Sequence, residues 1–181
     1  MLGKIKWNRL VEIMKREGSG IKMTLCGHEY WMKMAIDEAF RNVQQAEGGP
    51  FGAIVVKEGK VIGKGRNLVT TLNDPTAHAE VQAIREACNH LQSFQLTGCV
   101  IYTSCEPCPM CLGAIYWSRP DAVYYASTKK DAANIGFDDH FIYEEIEKPM
   151  DQRSIPMRLL QPADYLLPFQ AWSSAERKIE Y

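Results

Sequence analysis

The chain has 181 residues, 46% of them hydrophobic and 24% charged, with a formal net charge of −1. This length and balance describe one globular domain with a sizeable core and exclude a disordered chain, and no apolar run approaches the ~18 residues a membrane-spanning helix needs. Residues 1 to 22 hold six Lys/Arg against two Asp/Glu, so a +4 leader precedes a −5 body, which suits a small substrate better than a polynucleotide gripped along a basic track.

In chain order, residues 1–25 read as a basic N-terminal extension with a helix around residues 10–16. A helix over 28–44 follows and ends at Gly48-Gly49-Pro50. Residues 51–57 and 60–66 read as strands joined at Glu58-Gly59, a two-residue hairpin signal. After Asn73-Asp74-Pro75, apolar residues at Ala79, Ala83, Ile84, Ala87 and Leu91 predict a helix within 75–91. Residues 99–104 form a β-rich run, and Pro107 and Pro109 suit the opening of a helix that runs to about 118. A strand at 122–126, a short helix at 138–146, a strand at 158–161 and a helix at 163–175 complete the reading. Helices alternating with strands predict an α/β fold, a three-layer α/β/α sandwich around a mixed five-stranded sheet. Pro149, Pro156, Pro162 and Pro168 stiffen the approach to the last helix, so residues 26–181 are read as one domain.

Chemistry concentrates at His78-Ala79-Glu80 and Pro107-Cys108-Pro109-Met110-Cys111. One imidazole and two thiolates supply the three protein ligands of a catalytic zinc site and leave a fourth position for water. Cys108 and Cys111, three apart, face one side of a helix's first turn, where the helix dipole favours thiolate. Glu80, two residues past His78, leaves the helix in another direction, beside the metal water, and is placed to carry protons. The pattern matches the signature of zinc nucleobase deaminases, in which an activated water attacks an amidine-like ring carbon and ammonia leaves.

The rival from outside catalysis is a structural-zinc binding module, with Cys105 closing a His-Cys-Cys-Cys tetrahedron and leaving Glu80 without a task. An iron–sulfur centre is disfavoured because no cysteine follows Cys111. Cys26, Cys88 and Cys99 read as reduced thiols and His28, His90 and His140 as ordinary polar residues. Six cysteines outside any disulfide framework fit a reducing, cytoplasmic setting.

Pro50-Phe51-Gly52-Ala53, His78-Ala79-Glu80 and Glu106-Pro107-Cys108-Pro109-Met110-Cys111 resemble the cytidine-deaminase-like superfamily. Asn73-Asp74-Pro75-Thr76-Ala77-His78, Gly136-Phe137-Asp138-Asp139, Phe141-Ile142-Tyr143 and the ending from Pro168 to Tyr181 resemble, more narrowly, the small bacterial zinc-dependent guanine deaminases. The resemblance implies one Zn2+ per subunit and hydrolysis of guanine to xanthine and ammonia. It implies that Asn67 and the backbone N–H of Ala79 bind the purine, that Phe51 and Trp117 wall it, and that Asp139 meets its amino group. It also implies a homodimer whose C-terminal segments, about residues 162–181 and ending at Tyr181, close the partner's site. For Asp138, capping of the following helix is favoured. A tRNA adenosine deaminase, or a deaminase of cytosine or another nucleobase, shares the zinc signature and stays open at this point.

Overall fold

The structure, a computed structural model, describes residues 25–180; the helix expected near residues 10–16 and the terminal Tyr181 lie outside the described residues. Helix α1 (Leu25–Gln44) leads through a turn at 45–50 to strands β1 (Gly52–Lys57) and β2 (Lys60–Arg66). Glu58 and Gly59 both take positive φ, 49° and 71°, the backbone of a tight hairpin turn. A one-turn helix α2 (Val69–Leu72) precedes α3 (Ala79–Leu91), which is followed by β3 (Cys99–Cys105), α4 (Pro109–Ser118) and β4 (Ala122–Ser127). The rest of the chain carries α5 (Lys129–Ala133), α6 (His140–Glu147), a 3-10 turn (Met150–Gln152) and α7 (Leu167–Ser174).

The strands lie in the order β2-β1-β3-β4, with β1 antiparallel to both β2 and β3 and β3 parallel to β4. β1 is apolar at consecutive positions because both of its faces are covered. Ala53 and Val55 join Ile101, Ala83, Ala87 and Leu96 on the α3 side, while Ile54 and Val56 join Trp31, Ala35 and Tyr102 on the α1 side. Two glycines allow the helices to lie this close. A Cβ on Gly52 would stand 2.4 Å from Ala35 O, and one on Gly65 would stand 1.9 Å from Ala79 O.

Register gathers one edge of the sheet. Gly52 at the start of β1 faces Arg66 at the end of β2, Ala53 faces Thr103, and Cys105 at the end of β3 faces Ser127 at the end of β4. Residues just beyond these ends, Phe51, Asn67, Cys108 and Lys129, are therefore neighbours in space although scattered in sequence.

The mixed α/β sandwich is as expected, with a correction to strand number: the sheet has four strands among the described residues. Residues 158–161 join no ladder, and Leu159 and Leu160 are 85% and 88% exposed. A strand exists by pairing, and this segment has no ladder partner within the described chain. The last helix is also shorter than expected, because residues 163–166 form turns before Pro168 opens α7.

Candidate active site

Helices α3 and α4 both start at the gathered edge. His78 is the residue immediately before α3, and Cys108 holds the same place before α4; both have extended backbones that turn the chain into the helix. Neither spends its side chain on capping, so imidazole and thiol are free for other partners. His78 Nδ1 lies 3.5 Å from Cys108 Sγ and 3.5 Å from Cys111 Sγ, and all three donor atoms fall within 4.8 Å of one another. Zinc bonds of tetrahedral geometry require a nitrogen–sulfur separation of ~3.5 Å. Both nitrogen–sulfur separations therefore suit zinc, with His78, Cys108 and Cys111 as the residues that would hold it.

Electrostatics at the site follow from burial and mutual contact. The hydrogen bond from Cys111, aided by the His78 ring, holds the Cys108 thiol down to about 4. The same contact together with burial pushes Cys111 up. Cys108 also raises the proton affinity of His78 against the opposing effect of burial. Glu80 is buried, its Oε2 accepting from Cys111 Sγ at 3.4 Å, and desolvation pushes its carboxyl up. Such a carboxylate is primed to take a proton rather than to compete as a metal ligand.

Cys105 does not join the donor set. Its Sγ donates to Thr128 O at 3.6 Å, and burial pushes its thiol up to about 11. The ligand cluster is His78, Cys108 and Cys111 alone among the described residues, which removes the closed tetrahedron on which a purely structural zinc depends.

A cavity of about 460 Å³ opens over these groups, lined by His78, Glu80, Cys108, Phe51, Asn67 and Asp139 among others. Asn67 is buried, with Oδ1 accepting from Val69 N at 3.4 Å. Ala79 is the first residue of α3, so its N–H is one of those a helix leaves without an intrahelical acceptor. Asp138 and Asp139 have different surroundings. Asp138 Oδ1 accepts from His140 N at 2.9 Å, whereas Asp139 makes no capping bond and faces the cavity, where burial raises its proton affinity.

Trp117 is not brought to the cavity wall of the single chain; it lies at the end of α4, 65% exposed. The aromatic that meets Phe51 is Phe137, edge-on at 4.9 Å between ring centroids and 89° between planes. Sequence reasoning also missed Asn42. Fully buried on α1, it donates through Nδ2 to Gly49 O at 2.8 Å and Asn67 O at 2.7 Å, tying both segments beneath the cavity. No local pattern announces it, because its partners lie 7 and 25 residues away.

Comparison with known proteins agrees with this geometry. Residues 26–127 match the cytidine and deoxycytidylate deaminase zinc-binding region. The chain is 56% identical over 154 residues to guanine deaminase of Bacillus subtilis, covering 85% of this chain and 99% of that protein. The X-ray structure of guanine deaminase from Bacillus subtilis superposes with a TM-score of 0.84, over 85% of this chain and 98% of that one. A structure of guanine deaminase from Nitrosomonas europaea matches at 33% identity and TM-score 0.58, over 61% and 64% of the two chains. The tRNA-specific adenosine deaminase of Aquifex aeolicus is 47% identical over 104 residues, 58% of this chain and 68% of that protein. This chain belongs to the cytidine and deoxycytidylate deaminase zinc-binding family, in the branch that contains the guanine deaminases.

Proposed function

We propose that this chain hydrolyses guanine to xanthine and ammonia. The observation that carries the reading is likeness beyond the zinc motif: the match to the Bacillus subtilis enzyme runs over 154 residues, whereas that to the Aquifex aeolicus tRNA deaminase runs over 104. The likeness to the guanine deaminase therefore extends beyond what this chain shares with a deaminase of adenosine. Zinc held by His78, Cys108 and Cys111 supplies, when bound, a water acidified to a pKa of about 7. Glu80 moves protons twice, first one from the attacking water to a ring nitrogen, then the second from the new hydroxyl to the departing amine, so that ammonia leaves as the carbonyl forms. Phe51 stacks on the purine, Asn67 and the Ala79 N–H pair with its edge, and Asp139 faces the amino group that leaves. A pocket that pairs particular donors and acceptors rejects bases that leave them unpaired.

The site is completed by a second copy of the chain. Residues 26–181 act as one deaminase domain, and the segment from about 162 to 181, ending in Tyr181, reaches across to cover the partner's cavity. Support comes from the apolar surface of this segment: Leu167, Phe169 and Trp172 are exposed at 58%, 70% and 47%, and α7 does not pack broadly on the sheet layers. Apolar area of this kind marks an interaction surface, and segment exchange is a low-cost route to a symmetric dimer. Trp117 joins the base wall in that assembly. A cytoplasmic setting accords with the free thiols at Cys88, Cys99, Cys105, Cys108 and Cys111, and no described helix is long and apolar enough to cross a membrane.

Ammonia release and product spectra from zinc-loaded protein with guanine, adenine, cytosine, guanosine, cytidine and tRNA test the substrate. Turnover of guanine alone is expected, and ammonia from tRNA alone would overturn the reading. Removing residues 169–181 is expected to lower activity and dimer stability together; full turnover in the shortened chain would reject the covering role.

A further inference from the structure

We propose that Phe137 is a positioning residue that fixes the reach of Asp139 by locking against Gly49 and Phe51. The inference rests on the reading of Asp139 as the group that faces the substrate amine. The segment from α5 to α6 lies over the cavity but packs broadly on neither helix layer. At its base, the Glu106 carboxylate accepts from Lys129 N at 3.0 Å. At its far side the chain turns sharply at Gly136, φ +93°, with Gly136 N and Phe137 N donating to Ala133 O and Ala132 O at 3.0 Å each. That turn delivers the Phe137 ring edge-on to Phe51, and two residues later Asp139 enters the cavity.

Gly49 is the third member of the lock. A Cβ placed there would stand 3.1 Å from Phe137 Cζ and 3.2 Å from Phe51 Cδ2, so both rings already rest against the bare glycine backbone. Gly49 cannot give way easily, because its carbonyl accepts from buried Asn42 and from Phe51 N, each at 2.8 Å. The wall that holds the base and the loop that carries Asp139 are thus set by one contact. Phe51 is the part that touches the purine; Phe137 acts through Phe51 and through its own backbone.

The test is a double-mutant cycle on the zinc-loaded enzyme with guanine, using Gly49→Ala, Phe137→Ala and the two combined, with Phe137→Leu as a milder variant and Asp139→Asn as a reference. Zinc content and far-UV circular dichroism are measured on each. Displacement of Asp139 by about 1 Å is expected to lower kcat on the order of 10²-fold in Phe137→Ala, with zinc retained. Gly49→Ala is expected to lower kcat in the parent and to lower it by a smaller factor in the Phe137→Ala background, where the added methyl meets only the Phe51 ring, so the two losses do not fully multiply. Phe137→Leu should fall between. Multiplying losses, or a raised KM with kcat intact, would overturn the positioning role and leave Phe137 as wall padding. If Asp139→Asn loses turnover while Phe137→Ala does not, this inference alone fails; if Asp139→Asn keeps full kcat, the assignment of Asp139 fails with it.

Discussion

Substituting Gly65 by alanine separates the packing of α3 from the chemistry it carries. The added methyl would stand 1.9 Å from Ala79 O and 2.6 Å from Ala83 N, both backbone atoms that no rotamer change can remove. Strand and helix must part by roughly 1 Å or more to restore ordinary contact, and overpacking of this kind costs ~1–3 kcal/mol. For a domain of this size, each kcal/mol lowers Tm by about 2–4 °C. The displaced part of α3 is its first turn, with His78 immediately before it and Glu80 as its second residue, and a misplacement of ~1 Å at a reacting group costs ~10²-fold in rate. Gly63→Ala is the matched control: its methyl would meet Ala83 O at 2.4 Å and Ala87 N at 2.8 Å, a comparable clash about one turn further from the metal ligands. Thermal denaturation, zinc analysis and kcat on both variants are expected to show similar losses of Tm but a much larger loss of kcat for Gly65→Ala. Wild-type Tm and kcat in Gly65→Ala, or equal loss of kcat in the two, would refute the reasoning.

Glu80→Gln is expected to keep zinc and lower kcat by ~10²–10⁴-fold, the usual contribution of a positioned proton carrier; metal analysis beside ammonia release checks it, and loss of zinc would instead show a ligand role. Asn42→Leu removes the side-chain donor to buried Asn67 O, while Gly49 O keeps its bond from Phe51 N, so one stranded carbonyl is expected to cost ~1–3 kcal/mol by urea denaturation, with KM rising because Asn67 lines the cavity. Glu145 is held down to about 2 by its hydrogen bond from Lys148, with further bonds from Ser154 N and Oγ at 2.6 and 2.8 Å. A folded-state pKa below the unfolded one means that this tie is present above the usual carboxylate range and is lost only as pH falls toward 2. The Ser154 amide resonance should therefore titrate near 2, and a midpoint near 4.5 would show the tie absent.

Legibility in the sequence followed the distance over which information is encoded. The metal donors and Glu80 were readable because each pair sits within three residues of a helix start, where spacing alone decides direction. At Asp138 and Asp139 the local signal is a helix start, where Asp138 accepts from His140 N and Asp139 makes no side-chain capping bond. The short helix α5 carried its signal in Thr128 and Asp131, a reciprocal capping box, but a single turn is too brief for apolar periodicity to reveal. Phe137 was visible as part of a motif without a role, because its partner Phe51 lies across the fold. Trp117 shows the converse: an aromatic residue on a site-bearing helix is close in sequence, yet the direction of its side chain is set by helical rotation from Cys111. Residues 158–161, Arg-Leu-Leu-Gln, say nothing of what a strand there would pair with.

The site's economy of construction lies in strand register. β1 runs antiparallel to both neighbours, so its start, the ends of β2 and β3, and the end of β4 beside β3 all open on one edge. The chain passes this edge at Phe51, Asn67, His78, Cys108 and Lys129; three of those passages are helix starts, and the two at His78 and Cys108 open the longer helices, whose exposed N–H groups favour negative charge. The Cys108 thiol is held low there by its hydrogen bonds, and it raises the proton affinity of His78 in turn. The positive helix ends offset part of the cost of gathering thiolate and carboxylate charge in a buried place, and zinc offsets more when it binds. Cys111 and Glu80 are both pushed toward their protonated forms by burial and that crowding, yet their places differ: Cys111 is one of the three residues that would hold zinc, whereas the Glu80 carboxyl lies outside that donor set and would stay able to exchange a proton. A ligand and a proton carrier thus arise from the same buried, anionic neighbourhood, distinguished by which of them the helix geometry points at the metal.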